Sequence, residues 1–175
     1  MELKIRVEDL AKGLQRIQGI VEKKTTMPIL ANALIEASKD GRVTISATDL
    51  EVGLTASYPA EIQTAGSITL GGKALYDIVR SLPVKQVRVT RTANHWVEVV
   101  CKKVRYRVLG MPAETYPSLP TFADVDLFEI DAPVFRDMLE KTLYAVSLDD
   151  TRYNLTGVYL EAIPVVSGLR MVATD

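Results

Sequence analysis

The sequence predicts an α+β fold made of duplicated β-α-β-β-β units, with one-faced helices packed on antiparallel sheets. Two observations carry this prediction. One is a long internal repeat with a period of about 125 residues. The other is a half-period inside its first copy, where a strand, a helix and three further strands follow one another twice.

The helix of the first copy is predicted over Val7–Val21, because Leu10, Leu14, Ile17 and Val21 fall on one stripe. In the second copy Phe135, Leu139, Thr142 and Val146 stand at the matching offsets. Each helix is followed by a polar connection and a short strand ending in glutamate, PILANALIEA at Pro28–Ala37 and YNLTGVYLEA at Tyr153–Ala162. Each copy then closes a strand on the same tripeptide, Ala47-Thr48-Asp49 and Ala173-Thr174-Asp175. Chance supplies a tripeptide easily, but rarely together with the glutamate and the helix phase. Within the first copy, strands are expected near 30–37, 42–47 and 52–62, with Asp40-Gly41 as the hairpin turn between the first two. A strand over Ser67–Leu70 leads to a helix over Lys73–Leu82 and then to strands Gln86–Arg91, Trp96–Cys101 and Val104–Leu109.

These elements divide the chain into a complete first domain over residues 1–110, a proline-rich linker over 111–127, and the first half of a second domain over 128–175. Pro112, Pro117 and Pro120 disfavour both helix and central strand in the linker. The second copy stops after a helix and about two strands, which reads as part of a longer protein whose unfinished sheet leaves Val158–Leu160 uncovered.

Composition narrows the function. A single cysteine, Cys101, permits no internal disulfide, and no apolar run reaches the length of a membrane span. Both fit a cytoplasmic protein with no membrane partner. The net charge of −1 argues against a protein that holds nucleic acid by bulk phosphate neutralisation, so any such role rests on local basic faces or on geometry. An enzyme is not expected. His95 lies in a turn-like Ala93–Trp96 stretch, and Gly71-Gly72 forms neither a P-loop nor a dinucleotide fingerprint. No Cys or His cluster has metal-ligand spacing, so neither metal nor cofactor is expected. Asp49 and Asp175 occupy equivalent repeat positions, which suits a turn better than a catalytic pair.

Three polar helix faces stand out: Lys12, Gln15 and Arg16; Lys73, Tyr76, Asp77 and Arg80; and Arg136, Asp137, Glu140 and Lys141. Lys23 and Lys24 follow the first. Residue pattern alone fits a solvated surface laced by i,i+4 pairs such as Glu8–Lys12 and Lys73–Asp77. On Lys102–Leu109, alternation sets Val104, Tyr106 and Val108 against Lys103, Arg105 and Arg107, a row that can serve simply as edge protection.

Four stretches in this order and spacing resemble the bacterial DNA polymerase III beta subunit family, the sliding clamps. They are TTMPILANALIEA (Thr25–Ala37), ATDLEVGL (Ala47–Leu54), TRYNLTGVYLE (Thr151–Glu161) and the terminal MVATD. The resemblance implies a DNA-clamp fold, a three-domain protomer, and a homodimeric ring around double-stranded DNA, with helices lining the hole. It implies a non-catalytic processivity factor serving DNA polymerase III, other polymerases and the clamp loader. By the same resemblance Lys12, Arg16, Lys23, Lys24, Lys73, Arg80, Arg136 and Lys141 face DNA. Asp149 stands where an anion would repel phosphate. Lys103, Arg105 and Arg107 lie on the strand at the subunit boundary, and Leu155 and Thr174 on a partial pocket for partner peptides. Two other readings stand beside it: a repeat-built protein-binding adaptor without DNA encirclement, and a hydrolase using Asp49 or His95.

Overall fold

Leu3 and Ile5 alternate with Glu2, Lys4 and Arg6, and this half-apolar run forms strand β1, Glu2–Arg6. Helix α1 follows at once over Val7–Arg16. In this computed structural model, residues 1–21, 27–83, 85–119, 129–163 and 168–175 are described. They fall in two compact units, Met1–Pro120 and Thr121–Asp175.

In the first unit the chain continues through β2 (Asn32–Ser38), β3 (Arg42–Thr48), β4 (Gly53–Pro59), β5 (Glu61–Thr64) and β6 (Gly66–Gly71). Then come α2 (Gly72–Arg80), β7 (Gln86–Arg91), β8 (Trp96–Cys101) and β9 (Val104–Leu109). The two halves exchange their leading strands. β1 pairs with β7 of the second half in a five-stranded antiparallel sheet, β5-β1-β7-β8-β9. β6 pairs with β2 of the first half in a four-stranded sheet, β4-β3-β2-β6.

The inward positions of both sheets and the apolar stripes of α1 and α2 merge into one core. Leu14, Ile17, Ile45, Ile68, Leu70, Val79, Val97 and Val99 are all fully buried within it. Burying one such side chain stabilises the fold by about 1.5–3 kcal/mol. The helices lie side by side, and Gln18 ties them by donating to the Leu14 carbonyl at 2.9 Å and the Gly72 carbonyl at 3.3 Å. Gly13 sets the close approach of α1 to the four-stranded sheet. A Cβ there would stand 2.6 Å from Ile45 Cδ1 and 2.8 Å from Tyr58 Cε2.

Several expected elements are altered in detail. The α-helix expected over Val7–Val21 ends at Arg16, and a 3-10 turn over Ile17–Gly19 keeps Ile17 inside. Gly19 and the β-branched Ile20 and Val21 are weak helix formers, so the last turn tightens. α2 stops at Arg80, where Ser81 Oγ donates to the Ile78 carbonyl at 2.7 Å and Pro83 follows. The strand expected over 52–62 splits at Pro59, whose missing amide suits the point where the chain leaves one sheet for the other. The Asp40-Gly41 turn is present, with Gly41 at φ +81°.

The linker expected over 111–127 needs correction at its start. Residues 111–119 belong to the first unit. Met111 and Thr69 exchange backbone hydrogen bonds at 3.0 and 3.1 Å. Tyr116 is buried against Ile29 and Leu30. Its hydroxyl donates to the Asn32 carbonyl and accepts from the Thr48 amide, both at 3.2 Å. Proline density hides this strap from a composition argument, because its anchors are long-range. The remainder of the expected linker, 120–127, lies outside the described residues.

The turn after β3 is held by its own side chains. Asp49 Oδ1 accepts from the Val52 amide at 2.6 Å and the Glu51 amide at 3.0 Å. Thr48 Oγ1 donates to the Val52 carbonyl and accepts from the Leu50 amide. These bonds hold Leu50 in a left-handed conformation at φ +82°.

The second unit contains helix α3 (Ala132–Glu140) and a hairpin of β10 (Tyr159–Ile163) and β11 (Gly168–Val172). Asp131 caps α3 by accepting from the Val134 amide at 3.2 Å. Phe135 and Leu139 are half-buried on its stripe, but the helix ends before Thr142 and Val146. Among the described residues of this unit only Ser147 is buried, whereas Tyr144 is 84% and Leu148 96% exposed.

Two outcomes follow. Tyr116→Phe leaves the Thr48 amide and the Asn32 carbonyl short of a partner, so urea denaturation should show a loss of about 1–3 kcal/mol. An unchanged midpoint would show that the strap does not depend on this hydroxyl. The second concerns acid. The Val52 amide holds the Asp49 carboxyl below its ordinary value against a smaller opposing effect of desolvation, and the Glu51 amide adds a lesser lowering. The stability it contributes is therefore present above the unfolded carboxylate pKa and lost as pH falls through the lowered folded value. Asp49→Ala should flatten that part of the acid limb in a pH series of thermal melts.

Candidate nucleic-acid interface

The apolar stripes of α1 and α2 face the core, so their opposite sides meet solvent. There α1 exposes Lys12, Gln15 and Arg16, and α2 exposes Lys73, Asp77 and Arg80. The i,i+4 pairs that would make this an ordinary laced surface are not formed. Neither Glu8–Lys12 nor Lys73–Asp77 is an ion pair among the described residues. Arg16 instead donates to the Tyr58 hydroxyl at 3.4 Å. The Arg80 guanidinium lies over the Tyr76 ring, 5.9 Å from its centroid. Two neighbouring helices thus present four cations free of carboxylate partners among the described residues.

The third helix differs. Arg136 Nε pairs with Glu140 at 2.8 Å and Lys141 Nζ with Asp137 at 2.7 Å, so each cation is neutralised one turn away. Lys23 and Lys24 lie outside the described residues. Asp149 turns inward on its own loop: it accepts from the Thr151 hydroxyl and amide and pairs with Arg152 Nε at 3.3 Å. The Thr151 hydroxyl bond, then the amide bond, lowers its pKa.

The basic row on β9 is also partly answered within the sheet. Arg105 Nη1 and Arg107 Nε each stand 3.9 Å from Glu98 of β8. Arg107 further covers the Trp96 ring at 5.0 Å. Alternation in Trp96–Cys101 puts Trp96 and Glu98 on the same face as the arginines, a signal available in the sequence but not drawn from it. Lys103 is exposed in the β8–β9 turn with no ion pair among the described residues. Tyr106 is 36% and Leu109 59% exposed on the same strand, giving this edge an apolar component that the charge pattern did not disclose.

Leu155 ends a 3-10 turn over Asp150–Leu155 and is half-buried, its carbonyl accepting from the Ser147 amide at 2.9 Å. Thr174 follows β11 and is exposed. The residues considered for catalysis have structural partners. His95 Nδ1 is 3.4 Å from Arg91 Nη2, and the His95 carbonyl accepts from the Gly110 amide. Asp49 holds its own turn and Cys101 is buried. Among the described residues no group of three His, Cys, Asp or Glu side chains could hold a metal ion, and no helix is long and apolar enough to cross a membrane.

The sequence model of the family described as DNA polymerase III beta subunit, N-terminal domain, matches residues 1–120. The beta sliding clamp of Synechocystis sp. is 31% identical over 182 residues, covering 100% of this chain and 46% of that protein. That of Caulobacter vibrioides is 32% identical over 179 residues, covering 100% and 48%. Among solved structures, the DNA polymerase sliding clamp from Bacillus subtilis superposes with a TM-score of 0.95 at 28% identity, covering 100% of this chain and 47% of that one. A sliding clamp from Bartonella birtlesii superposes at 0.89 with 33% identity, over 100% and 47%. The chain therefore has the clamp fold and spans about half the length of the relatives it matches.

Proposed function

The chain belongs to the DNA polymerase III beta subunit family, and from that premise we propose that it is the N-terminal share of a sliding-clamp subunit. In this reading α1 and α2 line the hole of a ring around duplex DNA. The observation that carries it is the face holding Lys12, Arg16, Lys73 and Arg80 without carboxylate partners among the described residues, in a chain whose net charge is −1. Such cations meet phosphates without reading bases. The acids interspersed among them keep the attraction shallow, which suits sliding. Arg136 and Lys141 would make a weaker contribution, because each first has to leave its own carboxylate. Lys23 and Lys24 are assigned to the same lining on the family resemblance alone.

The protein is then a processivity factor without a reaction of its own. It works in the cytoplasm by holding DNA polymerase III and other polymerases on the template, after a clamp loader has placed it there. Leu155 and Thr174 would supply a small part of the pocket for partner peptides. The exposed edge of β9 is the natural place for sheet continuation into a second subunit, with Lys103, Arg105 and Arg107 meeting acidic side chains and Tyr106 adding apolar contact. Arg105 and Arg107 would share Glu98 with any such partner.

Two measurements test this in a protein of the full family length that includes this chain. Lys12→Glu with Lys73→Glu should weaken DNA binding equally on every sequence and reduce the salt slope by about 0.9 for each phosphate left unneutralised. An unchanged slope would remove these helices from the DNA surface. Lys103→Glu with Arg105→Glu should raise the dimer dissociation constant in sedimentation at low protein concentration. An unaltered constant would move the subunit joint elsewhere.

A further inference from the structure

The two arginines that the subunit joint would use are already held by their own chain. Alternation along β8 sends Val97, Val99 and Cys101 into the core and leaves Trp96 and Glu98 on the outer face. Register sets Glu98 directly opposite Arg107 of β9, with Arg105 two residues back, opposite Val100. On its other side Glu98 neighbours Thr90 of β7, which carries no charge. Arg105 Nη1 and Arg107 Nε each stand 3.9 Å from the Glu98 carboxylate. Glu98 exposes 26% of its side chain against 65% and 58% for the arginines, so the acid is the sheltered member and the cations reach past it. β9 is the last strand of its sheet, which sets both arginines on the edge.

We propose that Glu98 is an intrachain competitor of the subunit joint. It holds Arg105 and Arg107 while the edge of β9 is free, and acidic side chains of a second subunit must take them from it. This rests on the reading that β9 is the joint. Distance decides the sign of the effect. A carboxylate that fixed the guanidinium geometry for a partner would bond it at about 2.7–2.9 Å. At 3.9 Å the attraction is coulombic and undirected, so Glu98 orients neither arginine and only offsets their charge. The orienting contact on Arg107 is the Trp96 ring, whose centroid lies 5.0 Å from the Arg107 Cζ and which does not neutralise it. A partner acid that approaches Arg105 or Arg107 therefore meets an offset cation and the repulsion of Glu98 itself. In the parted state, conversely, both arginines keep a counter-ion. Both effects favour parting of the joint, which suits a ring that must open to admit DNA. Lys103, exposed and without an ion pair among the described residues, meets a partner without this opposition.

Sedimentation of a protein of the full family length that includes this chain tests this. Glu98→Gln keeps the shape and removes the charge. It should lower the dimer dissociation constant about three- to tenfold at low salt, the scale of one or two exposed ion pairs. The gain should shrink as salt screens it. Glu98→Asp, which keeps the charge, should show little of it. The gain should vanish when Arg105→Gln and Arg107→Gln are already present, because Glu98 acts only through those two side chains, and persist beside Lys103→Gln. An unchanged or raised constant in Glu98→Gln, while Arg105→Gln with Arg107→Gln raises it, would overturn the competitor role and leave the joint where it is. If the paired arginine substitutions change nothing, the joint itself lies elsewhere and the proposal falls with it.

Discussion

The exchange of leading strands between the two halves of the first unit is the constraint on which the rest depends. Each half, taken alone, is a helix over three strands with its sheet edge and apolar face open. Moving β1 into the second half's sheet and β6 into the first half's ties the two sheets together and buries their apolar faces in one core. The backbone hydrogen bonds of one half are then completed only by the other, so the halves stand or fall as one. The same exchange sets α1 immediately after β1 and α2 immediately after β6, which brings the helices side by side. Their cations gather on a common surface for that reason, although Lys12 and Lys73 are 61 residues apart in sequence.

The strap through Tyr116 extends this logic to the exit of the unit. Thr69 on β6 bonds Met111, Asn32 on β2 bonds Thr69 Oγ1 at 3.0 Å, and Tyr116 bridges β2 and β3. One hydroxyl therefore reads the pairing of two strands, and a slip in either would leave buried polar groups unsatisfied. Gly110 is required just before the strap, because a Cβ there would lie 2.5 Å from the Thr69 carbonyl oxygen. The path of residues 111–119 along the first unit is thus fixed by the core rather than by the prolines. By contrast, the second unit buries almost none of its described side chains, and its order rests on local caps and one hairpin.

Much of this was legible in the sequence because it is local and periodic. Strands β7, β8 and β9 fall where alternation and turns set them, and the long repeat indicated the duplicated fold. Three things were not legible, each for a physical reason. Helix ends depend on where the core stops, so α1 is shorter than its stripe. The strap depends on contacts such as Tyr116 with Asn32, far apart along the chain. The state of each cation depends on which carboxylate wins it. The i,i+4 rule suggested pairs on α1 and α2, yet they form on α3 instead. Alternation already sets Glu98 on the face of Arg105 and Arg107, but its place between them follows only from the strand register.

In the proposed ring, charge placement rather than charge total makes a near-neutral chain compatible with DNA. A surface that adheres to phosphate needs a basic excess; a closed ring needs only enough attraction to centre the duplex. The most direct measurement is therefore topological. A protein of the full family length that includes this chain would be loaded on nicked circular and on linear duplex at moderate salt, and its residence compared. The account predicts long retention on the circle and rapid loss from the linear molecule, restored when the ends are blocked. Equal loss from both would contradict encirclement and favour a protein-binding adaptor.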